Sequence, residues 1–377
     1  MTLMKRRSFI QLTLAFGGAV ALGLTGCSSR VTQPEASAAA ATNGSYSLTL
    51  TDQFDRKVTF DHEIKRIATT VIPLPAMLAG VEQSLDKVVA VNTSAQALAE
   101  KGFLATMFPE IMDLPAAANG ADFVPNVETI VSQNPDITIQ WGHYGQEIIT
   151  PIEQAGLDLL LLNYGDQQLL EEWITLLSTL VAKPERGEHI LNTMHTDQKK
   201  IEELVAQVGK KPRAINIYNY DDMQVSGTGS YMDWWLSLCG ADNPAADAAP
   251  GASTSVAREE ILTWDPEVIF LGNFSTATPD TLYEDPFWGD VSAVKNKRVY
   301  RVPNGGFSWD PPSNESNMSW LWVASMLHPQ TADFNLRASM KENFSYLYNH
   351  DLTDDQIDQI LFMDANKVSA NYDVFAR

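Results

Sequence analysis

The chain has 377 residues, 45% of them hydrophobic and 19% charged. That is ordinary globular composition, which excludes disorder, collagen and low complexity as whole-chain descriptions and leaves room for two lobes with cores of their own. The formal net charge of −21, from 26 basic and 47 acidic residues, lacks the basic face a nucleic-acid binder needs.

The first segment runs through Lys5-Arg6-Arg7-Ser8 and an apolar stretch to Leu24-Thr25-Gly26-Cys27. A basic start, a short apolar run and small residues before a cleavage point make an export signal over residues 1–26. The run is shorter than the roughly 20 residues of a spanning helix. Leu24–Cys27 resembles the lipobox of bacterial lipoproteins, which implies that Cys27 is lipidated and anchors the exported chain to a membrane. Arg6-Arg7-Ser8-Phe9-Ile10 resembles a twin-arginine signal, and the general secretory route stays equally open. The first 27 residues hold three basic groups and no acid, so −21 becomes −24 for the remainder. Residues 27–45, rich in Ser, Ala and Thr after the cysteine, are expected to be a flexible tether. Only Cys239 is then left, so no internal disulfide is expected; Cys239 reads as a buried small hydrophobe.

Ser47–Phe60 alternates around Asp52-Gln53-Phe54-Asp55-Arg56 and predicts a β-hairpin. From Ile67 to Leu162, short apolar runs such as Lys87–Val91, Asp136–Ile139 and Leu159–Leu162 alternate with helical stretches. That pattern means βα units and a largely parallel sheet. Leu169–Val181 predicts an amphipathic helix. Pro184 opens a second one to about Val208, with Ile190, Met194, Ile201 and Val205 at helical spacing. Lys210-Lys211-Pro212 ends it, and a strand begins at Ala214. The second half repeats the alternation, and the chain turns mostly helical from about Met318, with Trp234, Trp235, Trp320 and Trp322 expected to pack in cores.

One segment occurs twice. Glu128–Ile139 and Glu259–Phe270 each read as a short helix, a Pro, an acidic residue and a strand, with the same Glu-to-Pro spacing. The opening hairpin with Lys65-Arg66-Ile67, this paired segment, Val291–Tyr300 and Trp309-Asp310-Pro311-Pro312-Ser313 resemble the binding proteins of iron-siderophore, haem and cobalamin ABC importers. The resemblance covers about residues 46–377. It implies an α/β fold of two Rossmann-like lobes, each with a central and mostly parallel sheet, joined by one long helix. The expected division is a lobe at 46–183, the connecting helix at 184–209 and a lobe at 210–377. It also implies a monomer that is not an enzyme, delivers a metal chelate from the inter-lobe cleft to an ABC permease and its ATPase, and needs no cofactor. Glu128 and Glu259 match the family's permease-docking glutamates, with Glu260 a competitor for the second role. Each Glu also suits the positive end of a helix.

Ligand contacts are expected in loops at the C-terminal ends of strands. These loops supply Trp141, His143 and Tyr144; Tyr220, Thr228 and Tyr231; Phe274; and Phe307 and Trp309. Trp141 matches a family position that lines the cleft. Aromatic walls suit a bulky, partly apolar ligand. Several relatives carry Arg soon after the Trp of the late loop, where this chain has Pro311. That departure favours a neutral or cationic chelate, such as a hydroxamate or corrinoid, over a catecholate. His143 is a conceivable axial ligand. The other histidines are scattered, so no bare-metal site is expected. Gly227-Thr228-Gly229 leaves an oxyanion such as molybdate or tungstate as an alternative ligand. The other alternative is a surface lipoprotein without a transport role. No nucleophile elbow or His-Glu-x-x-His pair points to an enzyme.

Overall fold

A computed structural model describes residues 37–38 and 46–376. The expected export signal, Cys27 and all of the expected tether except Ser37–Ala38 lie outside the described residues. Those two residues form β1, which pairs antiparallel with β2 (Leu48–Thr51); β2 in turn pairs with β3 (Lys57–Phe60). The hairpin bends at Asp55, with φ of 59°, a left-handed conformation that Asp tolerates better than most residues. Asp52, 4% exposed, fastens the turn. Its Oδ1 accepts from the Phe54 and Arg56 backbone N–H groups, both at 2.9 Å, and its Oδ2 accepts from Leu161 N at 3.0 Å.

The first large sheet is wholly parallel. It comprises β4 (Ile67–Thr69), β5 (Val88–Asn92), β6 (Ala116–Ala118), β7 (Ile137–Trp141) and β8 (Leu159–Leu162), in the order β6-β5-β4-β7-β8. The second comprises β9 (Ala214–Asn219), β10 (Gln224–Val225), β11 (Thr254–Ser255), β12 (Val268–Leu271) and β13 (Val299–Arg301), in the order β11-β10-β9-β12-β13. Here β9, β12 and β13 are parallel and β10 is antiparallel. In each sheet the first strand is central and the winding reverses beside it. That places switch points between β4 and β7 and between β9 and β12, where open α/β sheets bind ligands.

The repeated segment has repeated geometry. The helices Val127–Ser132 and Arg258–Trp264 each lead to a left-handed residue just before the Pro, Asn134 (φ 44°) and Asp265 (φ 41°). The next acid then accepts from the backbone at the start of the central strand. Asp136 Oδ2 takes Arg66 N at 2.9 Å, and Glu267 Oε2 takes Arg213 N at 3.0 Å.

The helix Gln167–Leu180 is followed by Pro184–Val205, 22 residues long and therefore about 33 Å. It stops short of the expected Val208. Pro184 fits its first turn because that N–H has no helical partner. The helix Ser316–Leu327 is buried at every position, so it shows no amphipathic stripe. It packs between Pro184–Val205 and Leu336–Tyr348, and the latter helix packs on Leu74–Glu82 beside the first sheet. Gln83 Nε2 donates to Tyr346 O at 2.9 Å across that contact. The C-terminal segment thus braces both sheets. Trp235, Trp320 and Trp322 are fully buried, and Trp234 packs edge-on against Trp320 at 5.3 Å. Cys239 is buried, which pushes its thiol pKa up. Among the described residues no helix is long and apolar enough to cross a membrane.

Candidate ligand-binding cleft

The chain segments that leave the strands at both switch points meet around a cavity of about 480 Å³. From the first sheet come Ile72 and Pro73 after β4, and Trp141, His143 and Tyr144 at the end of β7. Their rings form a continuous set with Phe123. Trp141 lies 5.3 Å from His143, His143 is 4.6 Å from Tyr144, and Tyr144 is 4.7 Å from Phe123. The turn carrying His143 packs against the hairpin. A Cβ on Gly142 would fall 2.2 Å from the Phe54 ring, so glycine allows the close approach.

From the second sheet, Tyr218 of β9 stacks on Phe274 after β12, with centroids 4.3 Å apart and planes 20° apart. The segment after β13 contributes Phe307, Pro311 and Pro312. Tyr164, which follows β8, also lines the cavity, and its hydroxyl accepts from Tyr231 N at 3.4 Å.

No Arg or Lys lines this cavity. Partial burial pulls the His143 pKa below the usual imidazole value, against a smaller upward pull from the Leu162 backbone. The ring is therefore neutral at pH 7. Burial raises the Tyr144, Tyr164 and Tyr218 phenols, so they are neutral donors as well. Asp222 lies on the lining, and Asp310 is fully buried nearby. Burial pushes the Asp310 carboxyl up to about 6, and its charge adds to the upward shifts of Tyr164 and Tyr218. Ser308 Oγ donates to its Oδ1, while its Oδ2 has no partner among the described residues. The field in the cleft disfavours anions.

Of the residues expected here, Trp141, His143, Tyr144, Phe274 and Phe307 line the cavity. Four others do not. Tyr231 is buried, and its hydroxyl accepts from Trp320 Nε1 at 3.1 Å. Trp309, 1% exposed, donates through Nε1 to Glu315 at 2.7 Å. Tyr220 packs on the second core, where its hydroxyl accepts from Trp288 Nε1 at 3.1 Å. Thr228 is exposed in a turn of its own. That turn is no anion cradle. Gly227 N donates to Gly251 O at 2.9 Å, Thr228 N to Ala246 O at 2.8 Å and Ser230 N to Gly227 O at 3.0 Å. Sequence reasoning missed Phe123, Tyr164 and Tyr218. Tyr164, two residues past β8, obeys the same strand-end rule that found Trp141. Tyr218 lies within its strand and gave no such signal.

Glu128 and Glu259 are exposed in the first turns of the two repeat helices. Glu260 is occupied, because its Oε2 accepts from Ala257 N at 2.9 Å.

Residues 75–305 match the family described as periplasmic binding proteins. A crystal structure of a periplasmic solute-binding protein from Veillonella parvula is similar, with a TM-score of 0.77 and 28% identity over 85% of this chain and 99% of that one. The molybdate-binding protein MolA of Haemophilus influenzae is 22% identical over 79% of this chain and 90% of its own length. The iron-uptake system-binding protein of Bacillus subtilis is 24% identical over 56% of this chain and 70% of its own. Two open sheets meeting at a cleft, with a match across most of both, establish the assignment: the chain belongs to the periplasmic binding protein family, the substrate-binding components of ABC importers.

Proposed function

We propose that the cleft captures a neutral or cationic metal chelate, with an iron hydroxamate or a corrinoid as the best-fitting classes. The observation that carries this reading is the pairing of aromatic rings from both sheets with a lining that holds no Arg or Lys. Flat apolar rings bury the organic shell of a chelate, and neutral phenols, an imidazole and the Asn219 amide on the lining orient it. A strongly anionic ligand would meet Asp222 and Asp310 without a countercharge. We further propose that residues 46–183 and 210–377 act as two lobes that rock modestly about the connecting helix at 184–209. In this reading the protein is a monomer, anchored by a lipid on Cys27, and hands its ligand to a permease that recognises Glu128 and Glu259.

Trp141 and Trp173 line the cavity, so intrinsic fluorescence reports occupancy. Titration with ferrichrome, ferrioxamine B, a ferric catecholate, haem, cobalamin and molybdate is expected to give saturable quenching by a hydroxamate or corrinoid. Trp141→Phe should reduce its amplitude. Quenching by the catecholate alone would overturn the neutral-or-cationic reading, and quenching by none of the panel would overturn the chelate reading. Molybdate is the second reading, favoured by the similarity to MolA, and saturable molybdate binding would establish it instead.

A further inference from the structure

A second cavity, of about 560 Å³, opens between the connecting helix Pro184–Val205 and the helix Leu336–Tyr348, over Ser316–Leu327. No residue of the aromatic cleft lines it. Its chemistry also differs: amides and hydroxyls from two sides line it beside apolar groups. Asn192, Thr193 and Thr196 come from the connecting helix, and Asn335, Ser339 and Asn343 from the opposite side. The two Thr hydroxyls donate to carbonyls one turn back, Thr193 to His189 O at 3.0 Å and Thr196 to Asn192 O at 2.8 Å. Their acceptor lone pairs remain available.

The cavity is built in depth rather than left as a gap between helices. Asp197, 4% exposed, accepts from Lys200 Nζ at 2.7 Å and from Asn317 Nδ2 at 2.8 Å. Asn317 is itself 1% exposed and reaches Asn343 Oδ1 at 3.3 Å. Beside them on the lining lies Asn314, 2% exposed. Its Nδ2 donates to Met77 O at 2.9 Å, but its Oδ1 has no partner among the described residues. A buried acceptor left unpaired costs free energy.

The charges exclude the simplest ligands. Asp197, Asp333 and Glu342 lie on the lining against Lys200, already paired with Asp197, and His189, whose ring stacks on Tyr346 at 3.9 Å. An anion therefore finds no free cationic partner. Among the described residues no group of three or more His, Cys, Asp or Glu is placed to hold a metal ion. A neutral ligand suits the amides and hydroxyls of the lining. Hydroxyl groups both donate and accept, as amides and hydroxyls do, and the half-buried Phe334 with Leu321 gives an apolar patch for a ring's C–H face. We propose that this groove is a second binding site, for a neutral polyhydroxylated ligand of the saccharide class.

The test is saturation-transfer NMR on the full-length chain. The probes are maltose and N,N′-diacetylchitobiose as free sugars and a soluble, undecorated glycan fragment of peptidoglycan as the envelope source. Saturable transfer is expected from at least one probe, and which one responds distinguishes the two sources. The groove-filling variant Ala338→Trp should reduce the signal at least tenfold. Ala338 is exposed, so Tm should stay unchanged. Asn317→Ala should weaken binding several-fold by releasing Asp197 and Asn343. Absence of transfer from all three probes overturns the proposal. So does transfer that survives undiminished in a folded Ala338→Trp protein.

Discussion

The indole Nε1 of Trp309 donates to the buried carboxylate of Glu315 at 2.7 Å. Gly306 N at 2.8 Å and the Tyr348 hydroxyl at 2.6 Å donate to the other oxygen. One side chain thus holds the segment that carries Phe307 into the cleft. Burial, opposed by these donors, pushes the carboxyl from an ordinary 4.5 up to about 7. A carboxyl raised on folding contributes stability that is complete below its unfolded value and is lost as pH rises through its folded value. Thermal melts should therefore show a component that falls between about pH 4.5 and 7, and Glu315→Gln should remove it relative to wild type. Glu315→Ala leaves three donors unpaired and should cost about 3 kcal/mol. Parallel pH profiles for wild type and Glu315→Gln would contradict the assignment.

The turn at Gly227 exists for packing. A Cβ there would lie 2.1 Å from Ala249 O and 2.7 Å from Ala246 O, both backbone atoms that cannot swing aside. Gly227→Ala should cost about 3 kcal/mol in denaturant melts. Gly229→Ala serves as a control for the left-handed backbone alone: φ is 85° and no atom lies within 4 Å of the added Cβ. That change should cost about 1 kcal/mol.

The internal repeat extends to residues outside the two repeated segments. Arg66 Nε donates to Gln133 O at 2.9 Å, and Arg213 Nε to Asp265 O at 3.0 Å. Each guanidinium thus caps the end of its own repeat helix. The helix, Pro and acid were legible because their order along the chain is local. The arginine partners come from 67 and 52 residues away, and only the parallel pairings β4–β7 and β9–β12 bring them in. The cleft divides the same way. Trp141 and Phe274 were legible from strand ends, but Trp309 and Tyr231 carry the same aromatic signal and point into cores. Period and composition do not say which side of a loop faces a cavity. Arg66→Ala and Arg213→Ala should each cost about 1 kcal/mol, and the double variant should be additive because the sites lie in separate sheets. A coupling well above about 0.5 kcal/mol in the double-mutant cycle would contradict that independence.

If Glu128 and Glu259 meet basic pockets on the permease, they contribute orientation and encounter rate rather than ligand affinity. Glu128→Ala with Glu259→Ala should lower uptake at least tenfold, and more at low ionic strength, with the ligand Kd unchanged. Glu260→Ala should instead act on stability, by about 1 kcal/mol, because its carboxylate caps the helix. A loss of uptake from Glu260→Ala with none from Glu259→Ala would transfer the docking role to Glu260.

The stacked pair Tyr218 and Phe274 should dominate the second sheet's share of ligand affinity. Phe274 is only partly buried, so its removal opens a ring-sized gap in the wall without emptying a core. Aromatic pairs contribute about 0.5–1.5 kcal/mol beyond burial, so Phe274→Ala should weaken ligand binding roughly tenfold while Tm falls little. Phe274→Leu should recover the burial and not the stacking, giving an intermediate Kd. The pH response separates this wall from the one carrying His143. Because the His143 pKa is lowered, the ring stays neutral through the neutral range and gains its proton only below the usual imidazole value. Affinity for a cationic chelate should be flat from pH 8 to 7 and fall in more acidic buffer as that charge appears. His143→Gln should abolish the fall, while Phe274→Leu should shift the whole curve without changing its shape. A fall that persists in His143→Gln would move the titration to Asp310, whose carboxyl is pushed up to about 6, and Asp310→Asn would then remove it.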